Sequence, residues 1–237
     1  MSAEFRRRLA RRLDWQRGIN DPALEPRNGL PILLALRRWQ AARLAASFGD
    51  FLADPTRRPA AEFFLADLYG DRDFSARDRD AARVLPMMSR LLPDTLLRAA
   101  TDAIELAVLS HALDLRMAEA LATWRDADAP LSDEDYIRAY RQIGLPRLRA
   151  HQIALILRVG QALDAAVQKH GVHKLLKAAR IPAQIAGLSE LQAFLERGFT
   201  AFGALGGAEG FLHDLGERER LVSRRLFAGD AAPFRAP

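Results

Sequence analysis

The chain of 237 residues contains no cysteine, so disulfide bonds, thiol nucleophiles and metal sites built on thiolates are excluded. It also has no apolar run of about 18 residues, the length that a membrane-spanning helix needs. No hydrophobic segment of the signal-peptide kind follows the basic N-terminus. We therefore predict a cytoplasmic protein without a transmembrane segment.

Lysine is scarce. Of the 35 basic residues, 32 are arginine and 3 are lysine. Codons of GC-rich genomes favour arginine and alanine, so this composition indicates a bacterial source. The formal net charge of +5 is uneven, because residues 1–60 hold 12 arginines against 6 acids. The basicity is therefore a property of the N-terminal part rather than a general affinity for polyanions.

The chain has the pattern of a helical protein. Apolar residues make up 49% and charged residues 27%, and long segments show a period of 3.6 residues without period-two alternation. We predict an all-α fold, an irregular multi-helix bundle of about eight or nine helices. Residues 1–228 are predicted as a single domain with a peripheral basic helix at 3–16, and residues 229–237 as a disordered tail. Two long helices, 94–124 and 146–169, are predicted at its centre.

Residues 62–80 combine a dense aromatic and aliphatic stretch with an interleaved array of Asp and Arg. On a helix, residues three or four apart face each other, as Asp73 and Arg77 would. Two interpretations follow: a core segment that runs into a solvated, salt-bridged helix start, or a surface that holds a partner. The predicted partner-binding residues are Phe63, Phe64, Leu68, Tyr69, Asp73, Arg77 and Asp80.

This segment resembles a known family signature. Residues 63–70 read Phe-Phe-Leu-Ala-Asp-Leu-Tyr-Gly, and Asp73-Phe74-Ser75 follows. The pattern is similar to that of an uncharacterised proteobacterial family named for its FFLEE or FFLEELY motif. Ala66 and Asp67 stand where that name has two glutamates. The resemblance implies a bacterial helical protein of unknown role and carries over no catalytic residues.

The five histidines do not form a complete metal site. A ferritin-like di-iron site needs a glutamate three residues before a histidine on two helices, and none of the five has one. His213 has Glu209 and Glu217 at four-residue spacing, and His111 lies on an apolar line with Asp114 three residues on. Nucleophile-elbow and phosphate-loop motifs are absent. We predict no catalytic residues, no metal and no cofactor; haem or metal binding at His111 or His213 is the alternative.

Two groups of arginines form a predicted polyanion-binding surface for nucleic acid or an anionic membrane. The first lies beside the apolar stripe of the N-terminal helix. The second surrounds Gly144-Leu145-Pro146, where helix, turn and helix follow the order of a DNA-reading unit, although the second helix soon becomes broadly apolar. The residues are Arg6, Arg7, Arg8, Arg11, Arg12, Arg138, Arg141, Arg147 and Arg149.

No complete catalytic set accompanies the concentrated hydrophobic and charged segment. We therefore predict a non-enzymatic protein-interaction or structural module with a protein partner or self-association. Polyanion binding and haem or metal binding are the alternatives.

Overall fold

The computed structural model describes residues 3–68, 94–127 and 129–235. Within these ranges the protein contains eleven α-helices and no β-strand, which confirms the predicted all-α fold. The helices are α1 (Ala3–Asn20), α2 (Ile32–Ser47), α3 (Gly49–Ala53), α4 (Arg58–Phe63), α5 (Asp94–Leu121), α6 (Asp133–Ile143), α7 (Pro146–Val167), α8 (Val172–Ala178), α9 (Arg180–Ile185), α10 (Ser189–Gly203) and α11 (Glu209–Ala228).

The count exceeds eight or nine because α3, α4 and α9 have only five or six residues each. So short a helix carries too few residues to show a 3.6-residue period. Phe48, with φ −104° and ψ 17°, separates α2 from α3. No helix of the described ranges is long and apolar enough to cross a membrane.

The 28-residue helix α5 lies at the centre and packs against α1, α2, α6 and α7. Its wide apolar arc contributes side chains to two clusters of buried residues. Ile104 and Leu115 belong to the first cluster, and Leu106 and Leu113 to the second. A helix that is apolar over much of its circumference is buried on more than one side, as its sequence predicts.

Polar residues separate the two clusters along α2. Leu36 belongs to the first cluster and Leu44 to the second. Between them α2 carries Arg37, Gln40 and Arg43, which all make side-chain hydrogen bonds to other helices. Along α2, polar contacts therefore lie between the residues of the two hydrophobic clusters.

The ends of α6 follow local sequence signals. The backbone N–H of Asp135 donates to Oγ of Ser132 over 3.2 Å, and that of Ser132 donates to Oδ2 of Asp135 over 3.0 Å. This is a capping box, with aspartate in place of the usual glutamate. At the other end, Gly144 and Leu145 have φ of 64° and 66°, and the turn leads directly into α7.

Residues 229–235, the first part of the predicted tail, lie against the domain in the described structure. The ring of Phe234 lies 5.5 Å from that of Trp39 and 6.0 Å from that of Tyr136, centroid to centroid. Nη1 of Arg225 donates to the carbonyl of Arg235 over 2.6 Å. One aromatic residue anchors this segment, and a composition that is otherwise typical of a tail does not reveal it.

Candidate functional site

The hydrophobic half of the predicted partner-binding segment lies in the second core cluster. Phe63 and Phe64 are buried, at the end of α4 and the start of a single π-helical turn. Their ring centroids lie 6.5 Å and 6.1 Å from that of Phe202. This position agrees with the core interpretation of the segment, and it leaves neither ring free to contact a partner.

The rest of that predicted segment is largely beyond the ranges that the structure describes. Tyr69, Asp73, Arg77 and Asp80 lie outside the described residues, as does the side chain of Leu68. Partner binding through these residues stays a prediction.

The N-terminal helix packs its apolar stripe on its own domain. Leu9 and Leu13 are buried in the first cluster. Arg12 donates to the carboxylate of Glu105 on α5, and His151 of α7 lies 3.0 Å from the same carboxylate. The stripe is therefore not free to enter a membrane surface, and Arg12 has an intramolecular partner.

Four further arginines of α1 belong to the predicted polyanion-binding surface. Arg7 and Arg11 are exposed, and the side chains of Arg6 and Arg8 lie outside the described part. A contact between α1 and a polyanion stays a prediction.

Three of the four arginines around the α6–α7 turn are exposed: Arg138, Arg141 and Arg147. The guanidinium of Arg138 stacks 4.3 Å from the centre of the Trp124 ring. That of Arg141 packs against Gly229, where an added Cβ would lie 2.8 Å from Nη1. Each of these two exposed side chains thus contacts another part of the domain.

Arg138 and Arg141 line an open groove between α6 and the segment that follows α11. The groove has a volume of about 540 Å³. Glu134 and Asp230 also line it, and Asp230 lies 3.2 Å from Nη2 of Arg235. The groove thus presents two guanidinium groups together with two carboxylates.

Arg149 differs from its predicted role on the surface. It is only 6% exposed, its Cζ lies 4.6 Å from the centre of the Tyr140 ring, and Nη1 donates to Gln152 over 3.2 Å. The helix that carries it, α7, packs against α5 and α11. In the described structure Arg149 is a core residue, because the second helix of the helix–turn–helix pattern is itself a core helix.

An internal polar cluster (Asn28, Arg37, Gln40, His111 and Asp114) joins α2, α5 and the turn before α2. Nη2 of Arg37 donates to Nδ1 of His111 over 2.8 Å, and Nε2 of His111 donates to Oδ1 of Asn28 over 2.8 Å. Both ring nitrogens are therefore occupied. Burial and then the charge of Arg37 lower the pKa of His111 to about 4.

Asp114 is held by the same cluster. Nε2 of Gln40 donates to its Oδ1 over 3.1 Å, and Nε of Arg37 lies 4.0 Å from Oδ2. Burial raises the pKa of Asp114 against the opposing effect of Arg37. Arg37 and Asn28, rather than Asp114 three residues on, hold the ring of His111. The polar groups of the cluster bond to one another and to the backbone carbonyls of Ile19 and Glu25, which is how a buried network stabilises one packing arrangement.

The second histidine candidate is exposed. His213 lies on the surface of α11, and the carboxylate of Glu217 accepts a hydrogen bond from Arg220 over 2.7 Å. Among the described residues, no group of three or more potential ligands is placed to hold a metal ion.

A surface that sequence reasoning missed lies on α8 and α9. Neither helix buries any of its residues. Leu175, Ile181 and Ile185 are 68%, 70% and 84% exposed, three of the four most exposed large apolar side chains in the described ranges. We call Leu175, Ile181 and Ile185, together with Lys174 and Lys177, the α8–α9 surface.

Polar contacts attach α8 and α9 to α10. Nε and Nη2 of Arg180 each donate to the carboxylate of Glu196 over 2.6 Å, and Nε2 of Gln192 donates to the carbonyl of Leu176 over 2.7 Å. Arg180 and Gln192 lower the pKa of Glu196 to about 2. Ile181 and Ile185, four residues apart, share one face of α9.

The sequence does contain a signal for this surface. Residues 165–189 include no acid and hold all three lysines of the chain, Lys169, Lys174 and Lys177. A general bias toward arginine explains why lysine is scarce in this chain. It does not explain why all three lysines lie in this one segment, and that position is the signal.

Comparison with known proteins places most of the chain in one family. Residues 20–233 match the family described as a domain of unknown function, DUF8198. Comparison with curated proteins and with solved structures gives no match. The match covers the internal polar cluster and the α8–α9 surface, and it agrees with the expectation of an uncharacterised family, whereas the FFLEE motif stays a prediction. The chain therefore belongs to the DUF8198 family, a domain of unknown function.

Proposed function

We propose that this protein is a cytoplasmic, non-enzymatic interaction module that binds its partner through the α8–α9 surface. One observation carries the proposal. Leu175, Ile181 and Ile185 are each at least 68% exposed, on helices that bury none of their residues. Single exposed apolar side chains are ordinary, but a group of them on neighbouring elements is typical of an interaction site.

The internal polar cluster supports the non-enzymatic part of the proposal. A general base needs a free lone pair within reach of the proton that it takes. Nδ1 of His111 accepts from Arg37, and Nε2 donates to Asn28. His111, whose pKa is strongly lowered, thus uses both ring nitrogens to hold helices together.

Site-specific photo-cross-linking of the full chain tests the proposal in its native cells. A benzophenone amino acid replaces Ile185 in one variant and Leu24 in another, because Leu24 is 71% exposed but lies in the loop after α1. We expect a discrete adduct from position 185 and none from position 24. The intact mass of the adduct identifies its class: lipid, second copy or another protein. Identical products from both positions, or none, contradict the proposal.

Polyanion binding is a second candidate function, favoured by the groove beside α6. Arg138 and Arg141 lie three residues apart, line that groove and contact Trp124 and Gly229 respectively. Guanidinium groups bind phosphate in a bidentate manner. The pair could therefore hold two successive phosphates.

The test is binding of a single-stranded oligonucleotide as a function of salt. Arg138→Gln/Arg141→Gln is compared with Arg7→Gln/Arg11→Gln, which removes the same charge from α1. Each lost phosphate contact should reduce the salt slope by about 0.7 for a single strand. The pair that changes the slope identifies the binding helix, and binding that neither pair affects contradicts this function.

A further inference from the structure

We infer that the partner of the α8–α9 surface is an anionic lipid bilayer, on which the protein rests without spanning it. This inference depends on the proposed function and names its partner. Leu175, Ile181 and Ile185 would enter the headgroup region, and Lys174 and Lys177 would lie among the lipid phosphates.

The charge of the segment matches such a surface. Between Asp164 and Glu190 the chain has no acid, and the carboxylate of Glu196 is already bound by Arg180. Lys169, Lys174 and Lys177 have no acidic partner within the ranges that the structure describes. Unpaired basic side chains next to exposed aliphatic ones are the pattern of helices that lie in a membrane interface.

The residue types favour lipid over protein. Protein interfaces are enriched in aromatic residues, methionine and arginine, and are depleted of lysine. The α8–α9 surface has three aliphatic side chains and two lysines, and none of the enriched types. In a chain with 32 arginines and 3 lysines, all the lysines lie at this segment. Lysine extends its charge past an apolar surface to reach phosphates.

The geometry suits shallow contact. Ile181 and Ile185, four residues apart, share one exposed face of α9, and Arg180 attaches the helix to Glu196 of α10. The helices have seven and six residues, and no described helix could span a bilayer. The contact would therefore be peripheral. The rest of the domain, attached to α9 through α10, would remain outside the bilayer.

Co-sedimentation of the full chain with vesicles tests the inference. Vesicles of phosphatidylcholine alone are compared with vesicles that also contain phosphatidylglycerol. We expect binding to the anionic vesicles only, weakened by salt. Lys174→Gln/Lys177→Gln should lower the partition coefficient about thirtyfold, since each basic residue near an anionic surface contributes about fivefold. Ile181→Gln/Ile185→Gln should lower it as well, through loss of apolar contact.

Matched controls separate this surface from general charge. Arg116→Gln/Arg224→Gln removes two charges from exposed positions on α5 and α11, and Leu24→Gln removes an exposed apolar side chain. These variants should bind vesicles as the wild type does.

The outcomes distinguish the inference from the proposed function. Failure of the wild type to bind anionic vesicles, with a position-185 adduct to a protein or a second copy, overturns the inference and leaves the proposed function standing. Vesicle binding that the α8–α9 variants and the controls affect equally overturns the inference and assigns lipid binding to another surface. A lipid adduct at position 185, lost in Lys174→Gln/Lys177→Gln, supports both.

Discussion

Nη2 of Arg37 on α2 lies 2.8 Å from Nδ1 of His111 on α5. A guanidinium can only donate, so Nδ1 accepts and the imidazole proton is on Nε2, where it donates to Asn28. Asn28 is itself fixed, because its Nδ2 donates to the carbonyl of Ile19 over 2.9 Å. Three segments of the chain are thus joined by one neutral imidazole.

The neutral state of His111 makes stability depend on pH. Its pKa is about 4 in the folded protein and 6.5 in the ordinary reference state. Below pH 6.5 the unfolded chain binds a proton that the folded protein does not, so the free energy of unfolding falls from pH 6.5 to pH 4. The loss attributable to this residue is at most about 3 kcal/mol. Urea unfolding at pH 7 and pH 4.5 measures it.

His111→Gln is the matched variant for this experiment, because an amide can accept from Arg37 and does not titrate. Carboxylates whose pKa the fold lowers, such as Glu25 beside Arg27, also lose stabilisation on acidification, and both proteins retain them. The wild type should lose more stability than His111→Gln on acidification. Equal losses in the two proteins would show that folding does not lower the pKa of His111, and would contradict this account.

Phe64→Ala should destabilise the protein by about 3–5 kcal/mol, because a fully buried ring is removed from an aromatic cluster. Leu34→Ala, at a half-exposed position on α2, should change stability by about 0.5 kcal/mol. Thermal and urea unfolding of both variants give the comparison. If Phe64→Ala lost no more stability than Leu34→Ala, Phe64 would not be a buried core residue.

Gly198→Ala should destabilise the protein although alanine is the better helix former. An added Cβ would lie 2.8 Å from Cζ of Phe63, whose ring is held by Phe64 and Phe194. Overpacking costs about 1–3 kcal/mol, against about 1 kcal/mol from helix propensity. Gly210→Ala, with no atom within 4 Å of the new Cβ, should stabilise by a few tenths of a kcal/mol. Urea unfolding should give opposite signs; stabilisation by both contradicts this packing.

Arg218→Lys should cost about 1–2 kcal/mol because lysine cannot reproduce two contacts of the guanidinium. Nη1 and Nη2 donate to the two oxygens of Asp50, each over 2.8 Å, and Cζ lies 4.5 Å from the centre of the Phe51 ring. Arg220→Lys alters an exposed pair with Glu217 and should cost about 0.5 kcal/mol or less. Urea unfolding measures both, and equal costs would mean that the Asp50 pair is no stronger than a surface pair.

Local rules allowed part of the fold to be predicted. The 3.6-residue period fixed the all-α class, and the Ser132–Asp135 capping box marked the start of α6. A capping box involves residues three apart, so its geometry is present in the sequence itself. The packing of Phe234 on Trp39 could not be predicted, since the two residues are far apart in the chain and share no local pattern.

The candidate site shows the same limit. Arg138, Arg141, Arg147 and Arg149 look alike in the sequence, but the fold leaves the first three exposed and buries Arg149 over Tyr140. Exposure depends on which neighbouring helix covers a given face, and that is decided by contacts between distant segments.

The sequence by itself determined a cysteine-free, helical chain with its lysines gathered in one acid-free segment, because composition and periodicity are local properties. Only the tertiary structure decided that Phe63 and Phe64 are core residues and that Ile181 and Ile185 are not. All four are apolar residues on short helical segments, and the physical difference between them is whether another helix packs over them.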